Sequence, residues 1–246
     1  MCLMRIPNYF FLAFALFFMN LSSGNTQAIP VPEKDNGGMG YFSLGYHMMN
    51  TGNLNDLLQV YDYPDLPGEM ISIGGGGHGF VGEWVVGGHG HSFMNRPQSN
   101  ETYDLSISGG YGFVDVGYVV NTRPGWDLYP LLGVGFGGFM LDISEDQPAI
   151  FNELLEEPET SMQVGKGGFL LDLSLNATYL FDFTENYFTR NGLVLGLQVG
   201  YVLDPFENQW KINGNDVTNG PDMDMGGPYL RLKIGGGGFN YPEEPE

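Results

Sequence analysis

Cysteine is almost missing from this chain. The single one, Cys2, lies ahead of an apolar run, so no internal disulfide and no cysteine-based metal spacing exist. It is also not placed as a lipoprotein acceptor, which would follow that run. Basic residues are scarce: 9 Lys and Arg stand against 29 Asp and Glu, a formal net charge of −20, which argues against a nucleic-acid partner. Charged residues of either sign reach only 15% while aromatics reach 14%, the reverse of a disordered composition. The 39 glycines keep no triplet period, which excludes a collagen. After the N-terminal run, no apolar stretch approaches the ~20 residues of a membrane helix.

The N-terminal run has a reading of its own. Arg5 supplies a positive start, Phe10 to Met19 an apolar stretch, and Thr26-Gln27-Ala28 small residues before a cleavage point. Residues 1–28 are therefore expected to be a secretory signal peptide, too short and wrongly flanked for an anchor. Residues 29–37 form a Pro-containing lead-in, and 242–246 an acidic tail.

Alternation is what the chain has in quantity. From Gly167 to Asp182 the odd positions Phe169, Leu171, Leu173, Leu175, Ala177, Tyr179 and Phe181 are apolar. The even positions include Asp172, Ser174, Asn176, Thr178 and Asp182. A period of two over this length is a β-strand with one greasy and one wet face. It exceeds the roughly 5–6 residues usual in soluble sheets and suits the roughly 9–11 of a tilted membrane strand. Similar segments occupy 38–49, 69–79, 84–94, 103–121, 128–143, 192–204 and 226–238. A helix capped by Asn53, with Asp56 in its first turn and Leu54, Leu57 and Leu58 on one side, is expected in the connection 50–68. A helical turn is expected at Ile150 to Leu155. Within 103–121 the apolar parity changes: Leu105, Ile107 and Tyr111 are odd, whereas Val114, Val116, Tyr118 and Val120 are even. Either a hairpin or a β-bulge near Gly112-Phe113 gives such a slip. Eight strands keep long and short connections alternating and the two termini on one side, as even-numbered bacterial barrels require. The bulge is therefore preferred.

The expected fold is all-β: an eight-stranded antiparallel up-and-down transmembrane β-barrel over residues 38–241, with long extracellular loops. With the signal peptide, this pattern resembles the small outer-membrane barrels of the OmpA/OmpX/OmpW kind. The resemblance implies a cell outer membrane location, with outer-membrane lipid and the barrel-assembly machinery as partners; Phe239-Asn240-Tyr241 resembles the aromatic end presented to that machinery. The surface ligand is left open. Trp84, Trp126, Tyr129, Tyr179, Phe181 and Tyr201 suit interfacial girdles. A soluble closed barrel is the structural alternative, with apolar faces inward.

Asp115, Asp172, Gln198, Arg231 and Lys233 share the wet face and are expected to form a lumen polar network that plugs the barrel. Lumen glycines leave a narrow channel for small solutes as a second reading. His47, His89 and His91 lie on the same side and are the metal candidates, since imidazole suits Zn, Cu and Ni; polar filler is the simpler role, and no cofactor is expected. His91-Ser92 suggests a lipid A-modifying enzyme, but Ser92 falls on the face opposite His91, and a nucleophile needs its base within reach. The acidic loop residues, among them Glu145, Glu153, Asp216, Asp222 and Asp224, lack Ca²⁺-loop spacing. A non-enzymatic structural, surface-binding or adhesive role is expected.

Overall fold

The computed structural model describes residues 36–123, 125–145, 161–184, 189–206 and 208–240. The expected signal peptide, most of the lead-in, the helical turn expected at Ile150 to Leu155, Tyr241 and the acidic tail lie outside the described residues. Eight long strands form the wall: β1 (Asn36–Met48), β2 (Glu69–Val81), β3 (Trp84–Met94), β5 (Tyr103–Tyr118), β7 (Trp126–Glu145), β8 (Ser161–Asp182), β9 (Thr189–Leu203) and β12 (Gly227–Asn240). Each pairs antiparallel with the next, and β12 pairs with β1 from Asn36↔Asn240 to His47↔Tyr229, so the sheet closes on itself. Hydrogen-bonded partners can be followed once around the wall, from Gly37 through Phe80, Val85, Gly117, Leu131, Ser174, Gly200 and Tyr229. The path returns to β1 at His47, ten residues beyond its start. That stagger tilts the strands by about 40°.

Smaller elements decorate the end that carries the long connections. Helix α1 (Gly52–Val60) follows β1; β4 (Gln98–Ser99) pairs with β5; β10 (Trp210–Ile212) and β11 (Asn215–Val217) form a hairpin whose Lys211 pairs with Gly165 of β8. The hairpin turns at Asn213-Gly214, both at positive φ (51° and 82°), the pair that a type I′ turn selects. A three-residue strand, β6 (Asn121–Arg123), folds back on β7 at the opposite end. The helix differs from expectation. Thr51 is its N-cap, not Asn53, and no acidic residue lies in its first turn. Leu54 and Leu58, four apart, are buried while Leu57 is exposed. Asn53 instead reaches Asp222 O at 3.1 Å.

The wall is greasy outside and wet at its centre. Phe42, Ile73, Val86, Val114, Phe136, Leu197 and Leu232 all face outward and are exposed, one from nearly every strand. Asp115, Asp172, Gln198 and Arg231 are buried to 1% or less. The apolar-in arrangement of a soluble barrel is thus reversed around the middle of the wall. Trp84 against Tyr118, and Trp126 against Tyr179, which in turn meets Phe181, cluster at the short-turn end. Tyr129 does not join them, because it is fully buried inside.

No bulge interrupts β5. Its pairing with β3 runs in one register from Trp84↔Tyr118 to Met94↔Ser108, and that with β7 from Tyr103↔Glu145 to Gly117↔Leu131. Leu105, Ile107, Tyr111, Phe113 and Asp115 all face inward. The parity change is chemical: toward the loop end the inside of the barrel itself turns apolar.

Candidate functional site: an enclosed polar layer

Along each strand the inward side chains run apolar, then polar or glycine, then apolar. At the short-turn end Met39, Tyr41, Phe80, Val85, Tyr129, Leu131 and Phe239 close the lumen. Phe239 stacks edge-on to Phe80 at 5.1 Å, so this member of the aromatic end points inward. At the loop end Met70, Phe93, Leu105, Ile107, Phe139 and Leu170 pack with Leu54 and Leu58 of α1, Trp210 of β10, and Met223 and Met225. Trp210 meets Phe139 at 90° and donates its indole N–H to Pro221 O at 2.8 Å. Hydrophobic burial thus seals a polar layer from both ends.

The lumen glycines do not hollow this layer out. Each lies opposite a large side chain on the neighbouring strand: Gly74 opposite His91, Gly76 opposite His89, Gly87 opposite His78, Gly137 opposite Tyr111 and Gly200 opposite Tyr229. A Cβ on Gly76 would fall 2.8 Å from His89 Cβ, and one on Gly200 would fall 2.5 Å from the Tyr229 ring. Glycine is what lets those rings lie flat against the wall.

All five expected lumen residues meet in this layer, and their partners are mostly not one another. Tyr229 donates its hydroxyl to Asp172, with oxygens at 2.7 and 3.0 Å, and Gln198 Nε2 lies 3.1 Å from both Tyr229 Oη and Ser174 Oγ. Arg231 donates to the Tyr111 hydroxyl and stacks its guanidinium 3.6 Å from the Tyr229 ring centroid. Lys233 donates to Asn176 Oδ1 at 2.6 Å and sits 4.1 Å from the Tyr41 ring centroid. Among the described residues, neither cation makes an ion-pair contact with Asp115 or Asp172. Histidines surround Asp115 instead: His89 Nδ1 at 2.8 Å and His78 Nε2 at 3.7 Å from Oδ2.

The three metal candidates are all buried but do not share one ligand set. His47 Nε2 donates to Met225 O at 3.0 Å, and His91 Nε2 lies 2.6 Å from Ser43 Oγ. His89 is gathered with Asp115 and Asp172, their ligand atoms all within 4.8 Å of one another. His78 was not singled out from the sequence, although it shares parity with Phe80 inside β2. A Ser–His contact does form, but it joins Ser43 to His91 inside the sealed lumen; Ser92 faces outward.

At the loop end of the lumen, Lys166 donates to Met223 O at 2.7 Å and so ties the loop 204–226 to β8. Burial pushes the Asp204 and Asp224 carboxyls above the ordinary range; the charge of Asp224 raises Asp204 further, and that of Asp222 raises Asp224. A separate cleft of about 660 Å³ opens at the rim among Tyr63, Tyr103, Ile143, Glu145, Gln163 and Asn213.

No family model matches this chain, and no curated protein matches it. Solved structures similar to it include Ail, the attachment invasion locus protein of Yersinia pestis, at 12% identity over 85% of this chain and 99% of that one, with a TM-score of 0.44. Neisserial surface protein A matches at 10% identity over 84% and 97%, TM-score 0.33. OprG of Pseudomonas aeruginosa matches at 12% identity over 86% and 98%, TM-score 0.32. The functional reading rests on this chain's own geometry.

Proposed function

We propose that this protein spans the outer membrane as a closed, non-conducting barrel and acts through the surface at its loop end, in a structural or adhesive role. The observation that carries the reading is the reversed partition of the wall: large apolar side chains encircle the outside at mid-height, while charges and amides are enclosed. Leaving those side chains in water would cost roughly 25 cal/mol for each Å² of apolar surface, and a contiguous apolar band of this kind belongs in hydrocarbon. Lipid is accordingly the first partner, and delivery by the barrel-assembly machinery follows from the same topology. The two apolar layers argue for surface binding over a solute channel.

The loop end is acidic, with Asp62, Asp65, Glu101, Glu145, Asp216 and Asp222 on or near the rim. One of the Ail structures holds the heparin analogue sucrose octasulfate; a polyanion of that kind would be repelled here, so the surface partner is neutral or cationic. Fractionation tests the location: the protein should be recovered with outer membranes and run as a compact, heat-modifiable band. Recovery from the periplasm without detergent would refute it. In planar bilayers the purified barrel should give no discrete conductance steps, and regular steps would restore the channel.

A further inference from the structure

The two carboxylates of the polar layer are brought together without a lysine or arginine between them. Asp115 sits on β5 and Asp172 on β8, separated in the wall by β7, where the intervening residue is Gly133. An added Cβ at Gly133 would lie 2.7 Å from Asp115 Oδ1 and 3.0 Å from Asp172 Cβ. Both carboxylates therefore reach across a bare stretch of backbone, and His89 joins them there. Like charges this close inside an apolar shell need a counter-charge or a shared proton.

His89 is oriented to supply a ligand atom. Its Nδ1 lies 2.8 Å from Asp115 Oδ2, so nitrogen and oxygen face a common point, as two ligands of one ion do. Neutral imidazole protonated on Nε2 leaves Nδ1 as the lone pair aimed at that point. His89 Nε2 and Asp115 Oδ1 are both buried and have no hydrogen-bond partner, an uncommon state in a folded interior.

We propose that His89, Asp115 and Asp172 form a buried site for a first-row transition-metal dication of the Zn²⁺ class, with His89 Nδ1 and carboxylate oxygens as ligands. One imidazole and two carboxylates fit the borderline preferences of such ions, and the two negative charges match the cation's. Lys233 and Arg231 share the layer and oppose the added charge, so the site is weaker than an isolated triad would be. Because apolar layers lie on either side, the ion enters while the barrel is closing and leaves slowly afterwards.

The test is refolding of the untagged chain in detergent, with Zn²⁺ or Co²⁺ present during refolding or added only afterwards, followed by EDTA and gel filtration. The expected result is roughly one ion per chain retained after loading during refolding, and far less after late addition. Co²⁺ should give visible bands of a nitrogen–oxygen ligand set. His89→Gln should lower retention at least tenfold while still giving a heat-modifiable band, and Lys233→Gln should raise it. Absence of bound metal in the wild-type chain, full removal by EDTA within minutes, or equal retention by His89→Gln would each overturn the site; the last two mark binding by surface carboxylates. These outcomes do not depend on where the barrel resides.

Discussion

Glycines on the inside of the wall and glycines on the outside are the same residue in two different situations. The inner set stands beneath rings and charges: Gly76 beneath His89, Gly200 beneath Tyr229, Gly133 beneath two aspartates. The outer set runs as an oblique band in which Gly236 pairs with Gly40, Gly40 with Gly77 and Gly77 with Gly88, while Gly75 pairs with Gly90 and Gly90 with Gly112. There, an added Cβ at Gly40 meets nothing within 4 Å, and at Gly112 only ordinary contact. Space inside is fully assigned, whereas much of the outer band is bare backbone that the fold itself does not demand. A glycine-rich composition therefore signals crowding on one face and openness on the other.

The widest gap between the two sets should appear with Gly76→Val, which drives a branched side chain into His89 and the carbonyl of Gly88. A loss of about 3 kcal/mol, or failure to form the heat-modifiable band, is expected from overpacking of this kind; ordinary folding would mean the rings can move aside. Gly133→Ala should cost less, about 1–3 kcal/mol in urea unfolding, and should also abolish metal retention by displacing Asp115 and Asp172. Retention unchanged from wild type would place the ion elsewhere.

A third contrast sets the loop-end cap against the wall. Since burial holds Asp204 and Asp224 above the ordinary carboxylate value, the capped state binds protons more readily than the open one. Stability of the cap is then fullest below the ordinary value near 3.9 and falls as pH rises through the elevated folded values. Solvent exchange of the Trp210 indole N–H should accordingly be slower at pH 4 than at pH 7. Asp204→Asn should flatten that dependence; an unaltered profile would assign it to other groups. The smallest effect belongs to the outer band. Gly40→Ala and Gly112→Ala should leave stability unchanged or raise it by about 0.4–1 kcal/mol. A clear loss in native membranes, absent in detergent, would show that something packs against the bare backbone.

Most of the wall was legible because its alternation is long and its outward face consistently apolar. Leu171, Leu195 and Leu232 point outward as their parity requires. What misled was the assumption that inward means polar along a whole strand. Leu105, Ile107 and Tyr111 face inward because the loop end of the lumen is a dry core, so their parity imitated a bulge that the continuous register excludes. The Asn213-Gly214 hairpin carried its signal openly, whereas β10 itself is only three residues long. Within the site, lumen parity found the charged residues, but their partners were not readable. Cross-strand neighbours depend on register, and register brings Asp115 beside His89 rather than beside Lys233. Nothing in the spacing of the chain announces that β5 and β8 flank the same glycine of β7.

The distribution of the enclosed charges along the chain has a consequence for how such a molecule is made. Asp115 and Asp172 come early, on β5 and β8; both central cations, Arg231 and Lys233, arrive together on β12, the strand that must find β1. Until that last seam zips, two anions face a half-built interior with no cation to offset them, and hydrocarbon is a hostile place for such an intermediate. The side-chain cations of the layer thus arrive at the same moment as closure, and a chain cut short before Arg231 lacks both them and the closing strand.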